Sequence, residues 1–138
     1  MSSIPGGIRA NGDGSISFGD YAAKEKIKVN EFEFNGDVYR LKTHAEVTRL
    51  EKNGGLYLET VPGAVIHGLL ASPAGLSFRA EGAGDTHITI NLEPLADYDL
   101  SVGGESRGTM NTGSSGKFIF SVSLSGEAAE IAISSNPA

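Results

Sequence analysis

The sequence predicts an all-β protein: a mainly antiparallel β-sandwich with no substantial helix. Three observations carry this. First, apolar residues alternate with polar ones. Leu76, Phe78 and Ala80 alternate with Ser77 and Arg79, Ile88, Ile90 and Leu92 with His87, Thr89 and Asn91, and Tyr98, Leu100 and Val102 with Asp99 and Ser101. A period of two sends each apolar set to one face of a sheet. Second, turn formers such as Asn35-Gly36, Asn53-Gly54-Gly55 and Gly103-Gly104 punctuate these runs. Third, no long segment repeats its apolar residues at helical spacing.

Residues 2–10 form a lead-in whose large apolar residues are Ile4 and Ile8, with Pro5 favouring an extended path. Asn11-Gly12-Asp13-Gly14 is a turn before a short strand, Ser15–Phe18. Lys24–Phe34 reads as a long strand whose parity breaks, because Ile27 and Val29 face one way and Phe32 and Phe34 the other. A bulge near Asn30 accounts for the switch. Asn35-Gly36 predicts a type I′ hairpin. It pairs Phe34 with Asp37, Glu33 with Val38, Phe32 with Tyr39 and Glu31 with Arg40, so Phe32, Phe34, Tyr39 and Leu41 share a face.

Thr43–Glu46 reads as a connection, followed by a hairpin of Val47–Lys52 and Leu56–Thr60. Val61-Pro62-Gly63 is a natural break, since proline lacks the ladder donor. It divides the chain into an N-terminal hairpin layer, 1–62, and a sandwich, 63–138, or marks a turn in one continuous domain. From residue 64 onward seven strands are expected, at 64–70, 75–80, 87–92, 97–103, 106–110, 117–124 and 129–134. That number suggests an immunoglobulin-like or fibronectin-III-like sandwich, four or five earlier strands bring the total to about eleven, and the whole is expected to be an immunoglobulin-like or jelly-roll-like sandwich. The expected core is Phe32, Phe34, Leu41, Leu58, Phe78, Ile88, Ile90, Leu92, Leu100, Phe118, Phe120, Val122, Ile131 and Ile133.

The bulk composition narrows the function. Seventeen acidic against eleven basic side chains leave a net charge of −6, which opposes nucleic-acid or anionic-membrane partners. The basic cluster Lys24, Lys26 and Lys28 reads as one face of a solvated edge strand. The absence of cysteine excludes disulfides, thiolate metal sites and cysteine nucleophiles. No run approaches the roughly 20 apolar residues of a membrane span. The N-terminus has neither the charged nor the apolar region of a signal peptide. The expectation is a protein made in the cytoplasm without a recognisable signal, or a processed form whose signal has been removed.

Chemistry is sparse. His44, His67 and His87 are too far apart in sequence for a helix-borne or hairpin-borne zinc pattern, and no metal or cofactor is expected. Asn11-Gly12-Asp13-Gly14-Ser15 begins like a calcium loop, yet Ile16 stands where such loops need glycine and Ala22 where they need a bidentate glutamate. A plain turn is the simpler reading. Asp97 and Asp99 share one strand face and read as a solvated acidic rim. No phosphate-loop, GxSxG or HExxH motif occurs. Tyr57, between Leu56 and Leu58, is the candidate exposed ring for stacking on a sugar, whereas Tyr39 belongs with Phe32 and Phe34.

Residues 64–134, especially THITINLEPLADYDLSVGGESRGTMNTGSSGKFIFSVSLSG, resemble the immunoglobulin-like accessory domains that accompany polysaccharide-active enzymes. The likeness is of fold and carries no site. The whole chain, from IRANGDGSISFGDY through VNEFEFNGDVYRLKT and LEKNGGLYLETVPG, is similar to small Firmicutes proteins labelled endosialidase. That resemblance implies a bacterial origin and a spore or cell-surface setting. No position matches the catalytic residues of the large phage endosialidases, so none is carried over.

Three functional expectations follow. The first is a non-catalytic structural protein that associates with itself as a homo-oligomer or filament, with Ile4, Pro5 and Ile8 in an extended arm that joins subunits or covers an edge of its own domain. The second is a glycan-binding module acting through Tyr57. The third, a small glycan-active enzyme, stands last because no convergent set of catalytic groups occurs.

Overall fold

The computed structural model describes residues 7–73 and 75–135. Among them are thirteen strands and no helix: β1 (Ile8–Ala10), β2 (Ile16–Phe18), β3 (Ile27–Phe34), β4 (Asp37–His44), β5 (Val47–Lys52), β6 (Gly55–Val61), β7 (Val65–Ser72), β8 (Gly75–Glu81), β9 (Asp85–Asn91), β10 (Asp97–Val102), β11 (Glu105–Asn111), β12 (Lys117–Ser123) and β13 (Ala129–Ser135). They form two antiparallel sheets, ordered β1-β2-β7-β8-β13-β10-β11 and β12-β9-β6-β5-β4-β3, which are not closed into a barrel. The architecture is a β-sandwich. Among the described residues, no helix is long and apolar enough to cross a membrane.

The seven strands expected after residue 64 are all present, with ends shifted by one or two residues. The first half holds six, because Ile8–Ala10 is itself a strand paired with β2. β3 starts at Ile27, so Lys24 and Lys26 lie in the preceding bend and Lys28 alone of the three is on the strand. β4 runs through His44, and the expected connection over Thr43–Glu46 shrinks to a turn at Ala45 and Glu46.

Strands from before and after Pro62 interleave in both sheets. β1 and β2 extend the sheet of β7, β8, β13, β10 and β11, while β9 and β12 extend the sheet of β3–β6. In the C-terminal half β8 pairs with β13, β9 with β12 and β10 with β11. This is one long hairpin ribbon, and curling it brings β13 against β10. The wrap is that of a jelly roll.

The Asn35-Gly36 turn has φ of 52° and 81°, the positive pair that a type I′ hairpin requires. Phe34↔Asp37, Glu33↔Val38 and Phe32↔Tyr39 form as expected, and the register then shifts between Val29 and Phe32. Glu31 falls in that bulge rather than opposite Arg40, whose neighbour across the strands is Glu51. Arg40 and Glu51 approach to 3.9 Å.

The core lies between the sheets and includes Phe18, Leu50, Leu58, Ile66, Phe78, Ile88, Ile90, Phe118, Ile131 and Ile133, all nearly inaccessible. Tyr98 and Phe118 join the layers edge-on, with centroids 5.9 Å apart and planes at 79°. Phe32, Phe34 and Leu92, expected in the core, pack at its margin. The two phenylalanines lie on the outermost strand of their sheet and are half-buried.

Candidate functional site

An open sandwich leaves four edge strands, here β1, β11, β3 and β12. Each edge presents backbone N–H and C=O groups that another chain can pair with, and shortness, charge or irregularity blunts that tendency. Three edges have such protection. β1 is three residues long. β3 exposes Lys28, Glu31 and Glu33 and carries the bulge. β11 exposes Glu105 and Arg107, holds Gly108 at φ 94°, and pairs with β10 through a register shift.

β12 has only one of them, a charge at its first residue, Lys117. Phe118–Ser123, FIFSVS, contains no charge, glycine or proline. It pairs with β9 in unbroken register from Lys117↔Asn91 to Ser123↔Asp85, and among the described residues no strand pairs with its far side. Phe118, Phe120 and Val122 face the core while Ile119 stands 58% exposed on the outer face. Phe118 and Phe120 pack edge-on beneath it, with ring centroids 5.7 Å apart.

Beside Ile119 the outer face is polar. Ser121 Oγ lies 2.7 Å from His87 Nδ1, and Ser123 Oγ donates to Asp85 at 2.7 Å. The serine–imidazole contact is exposed on a flat sheet. Among the described residues no carboxylate is bonded to the other ring nitrogen, so the orienting third member of a nucleophilic triad is missing.

Tyr57, expected as an exposed ring, is half-buried. The β5–β6 register shifts between Leu50 and Glu51, leaving Tyr57 as the extra residue. Its ring lies 6.4 Å from that of Tyr39, with Lys52 Nζ 5.0 Å from the centroid. Burial first, then Tyr39 and Asp37, push its phenol up to about 12. With Phe34, Asn35 and Asp37 these residues line a cleft of about 140 Å³ that reaches Ile16 and Leu69 of the other sheet. Asp37 is fixed there by Asn53 Nδ2 at 2.9 Å and Lys52 Nζ at 3.7 Å.

Of the arm residues, Ile8 pairs with Phe18 of its own chain and is buried in its own core. Ile4 and Pro5 lie outside the described residues. The calcium-like loop is a turn closed on itself. Asp13 Oδ1 accepts from Ser15 N at 3.0 Å and from Ser15 Oγ at 2.5 Å, and the hydroxyl bond, then the backbone one, hold the Asp13 carboxyl below the usual range. Asp97 and Asp99 are occupied by β11, accepting from Asn111 Nδ2 at 2.8 Å and Thr109 Oγ1 at 2.5 Å.

One cluster was not legible in the sequence. Glu81, 5% exposed on the outer face of the first sheet, bridges Tyr21 Oη at 3.0 Å and His67 Nε2 at 3.2 Å. Burial and the Glu81 bond raise the Tyr21 phenol. The three residues come from distant parts of the chain and share no spacing. Their contacts latch the loop after β2 onto β7 and β8. Among the described residues, no group of three or more His, Asp or Glu is placed to hold a metal. No family model, curated protein or solved structure matches the chain.

Proposed function

We propose that this is a non-catalytic structural protein that associates with a second copy of itself by pairing β12 with β12. The observation that carries the reading is the contrast among the four edges: three are short, bulged or charged along their length, while β12 is unbroken in register and charged only at Lys117, its first residue. Antiparallel pairing of a strand with its own copy is isologous, so it closes as a two-fold dimer and joins two six-stranded sheets into one. Centring the pairing on Phe120 sets Lys117 of each copy across from Ser123 of the other, with the carboxylate of Asp85 one strand further on. Ile119 of each copy then covers part of the other on the outer face.

Light scattering on the purified full chain tests this. The expected mass is twice 14.3 kDa, falling to the monomer value in the double variant I119K/S121K with its thermal melt retained, since both residues are exposed. A wild-type monomer at about 100 μM, a concentration that populates even a weak dimer, would overturn the proposal.

A second reading, glycan binding, draws on the Tyr57 cleft, where aromatic rings meet Asn35, Asp37 and Lys52 as sugar sites require. A glycan array is expected to give signals that the variant Lys52→Ala removes, and an array without signal rejects this reading.

A further inference from the structure

We propose that the outer face of β3, β4 and β5 binds an anionic polysaccharide carrying a carboxylate or sulfate on successive sugar residues. The register places Lys28 directly across from Lys42, and Lys42 directly across from Arg49. Neighbouring strands lie about 4.8 Å apart, so three cations stand in a row across the sheet. Like charges directly opposite each other destabilise a sheet. A chain with seventeen carboxylates and a net charge of −6 has ample means to avoid this, yet keeps the row.

Only one end is neutralised, where Arg49 meets Glu59 at 2.6 Å. Among the described residues, no carboxylate lies within ion-pair distance of Lys28 or Lys42. Arg40, two residues along β4, is held by Glu51 only at 3.9 Å and its side chain is 60% exposed. A groove of about 280 Å³ follows the row past the bulge at Asn30, lined by Lys28, Arg40, Lys42, Arg49 and Glu51.

The spacing selects the ligand. Duplex nucleic acid binds through many neutralised phosphates, which three cations on a chain of net charge −6 do not supply. A single small anion needs donors that converge, whereas these cations are set out along a line. A repeat of about 4.8 Å instead matches a chain with one charge on each sugar. The face lies at the opposite end of its sheet from β12, so ligand binding and self-pairing leave each other free.

Titration calorimetry of the full chain against heparin, polygalacturonate, neutral dextran and a short DNA duplex tests the proposal. Binding is expected for at least one of the two anionic polysaccharides and none for dextran. The double variant K28Q/K42Q should weaken it at least about tenfold and reduce the salt dependence by about two, one for each lysine. Its melting temperature should hold or rise, because a like-charge contact is gone. The charge-keeping variant K28R/K42R should bind as wild type does, and the single variants should each show part of the loss. No binding of either anionic polysaccharide at low salt overturns the inference, as does unchanged binding by folded K28Q/K42Q. Tighter binding of the DNA duplex would overturn it in favour of nucleic acid.

Discussion

The hydroxyls of Thr43 and Thr48 lie 2.7 Å apart, and both residues are fully buried. Thr48 Oγ1 donates to Ala64 O at 2.9 Å and accepts from Ala64 N at 3.1 Å, while Thr43 Oγ1 accepts from Asp20 N at 2.9 Å. Each hydroxyl has one hydrogen, so Thr43 must donate to Thr48. The pair ties β4 and β5 of one sheet to the segments flanking β2 and β7 of the other. Thr48→Val keeps the shape but orphans the buried Ala64 amide and carbonyl, and should cost about 2–4 kcal/mol in urea unfolding.

Across from Thr48 stands Thr60, equally buried, whose hydroxyl is the one buried side-chain polar atom without a hydrogen-bond partner among the described residues. Thr60→Val removes a desolvated group and loses no bond. The expected change is neutral to about 1 kcal/mol stabilising. Opposite signs for the same substitution at facing positions separate hydrogen bonding from side-chain size.

Two glycines should respond differently to alanine. At Gly36 nothing lies near an added Cβ, so only the positive φ of 81° costs energy, about 1–2 kcal/mol. At Gly75, with φ of 150°, the added carbon would run into the carbonyl oxygen of Ile133 on the paired strand. Relieving that collision separates β8 from β13, and Gly75→Ala should lose more than about 3 kcal/mol. Melting temperatures of the two variants compare them directly.

Tyr57 makes stability depend on alkaline pH. Its phenol titrates at about 12 in the fold against about 10 in an unfolded chain. A raised folded value means the contribution is fully present below about pH 10 and is lost as pH climbs through about 12. The size is of order 2 kcal/mol. Unfolding free energies measured from pH 9 to 12 should fall across that window, and Tyr57→Phe should flatten the fall.

The Tyr21–Glu81 bond should matter more than a surface contact, because Glu81 is buried. Tyr21→Phe removes one hydrogen bond to this buried carboxylate and should cost about 1–3 kcal/mol. Proteolysis should then cut the loop around residues 19–26 first, since that bond latches it.

Alternation and turn chemistry were legible because they are local. The apolar faces of β8, β9, β10 and β12 and the Asn35-Gly36 hairpin can be read residue by residue. Placement was not, because it depends on which strands meet. Nothing near Tyr57 announces the shift opposite Leu50 that turns its ring inward, and nothing in Ile8 states that its neighbour is Phe18. The β12 edge was legible as an apolar strand but not as an edge, a property of sheet order alone. The row of Lys28, Lys42 and Arg49 is invisible in sequence for the same reason, being spread over three strands.

The nested pairing of β8–β13 has a kinetic meaning. β10 and β11 are joined by the two-residue turn Gly103-Gly104, and closing that hairpin brings the ends of β9 and β12 together, whose closure in turn delivers β8 to β13. Each step shortens the loop the next must close, so the entropy of a long-range contact is spent in small instalments. Folding of this half should run outward from Gly103-Gly104, and slowing that one turn should delay every pairing that encloses it.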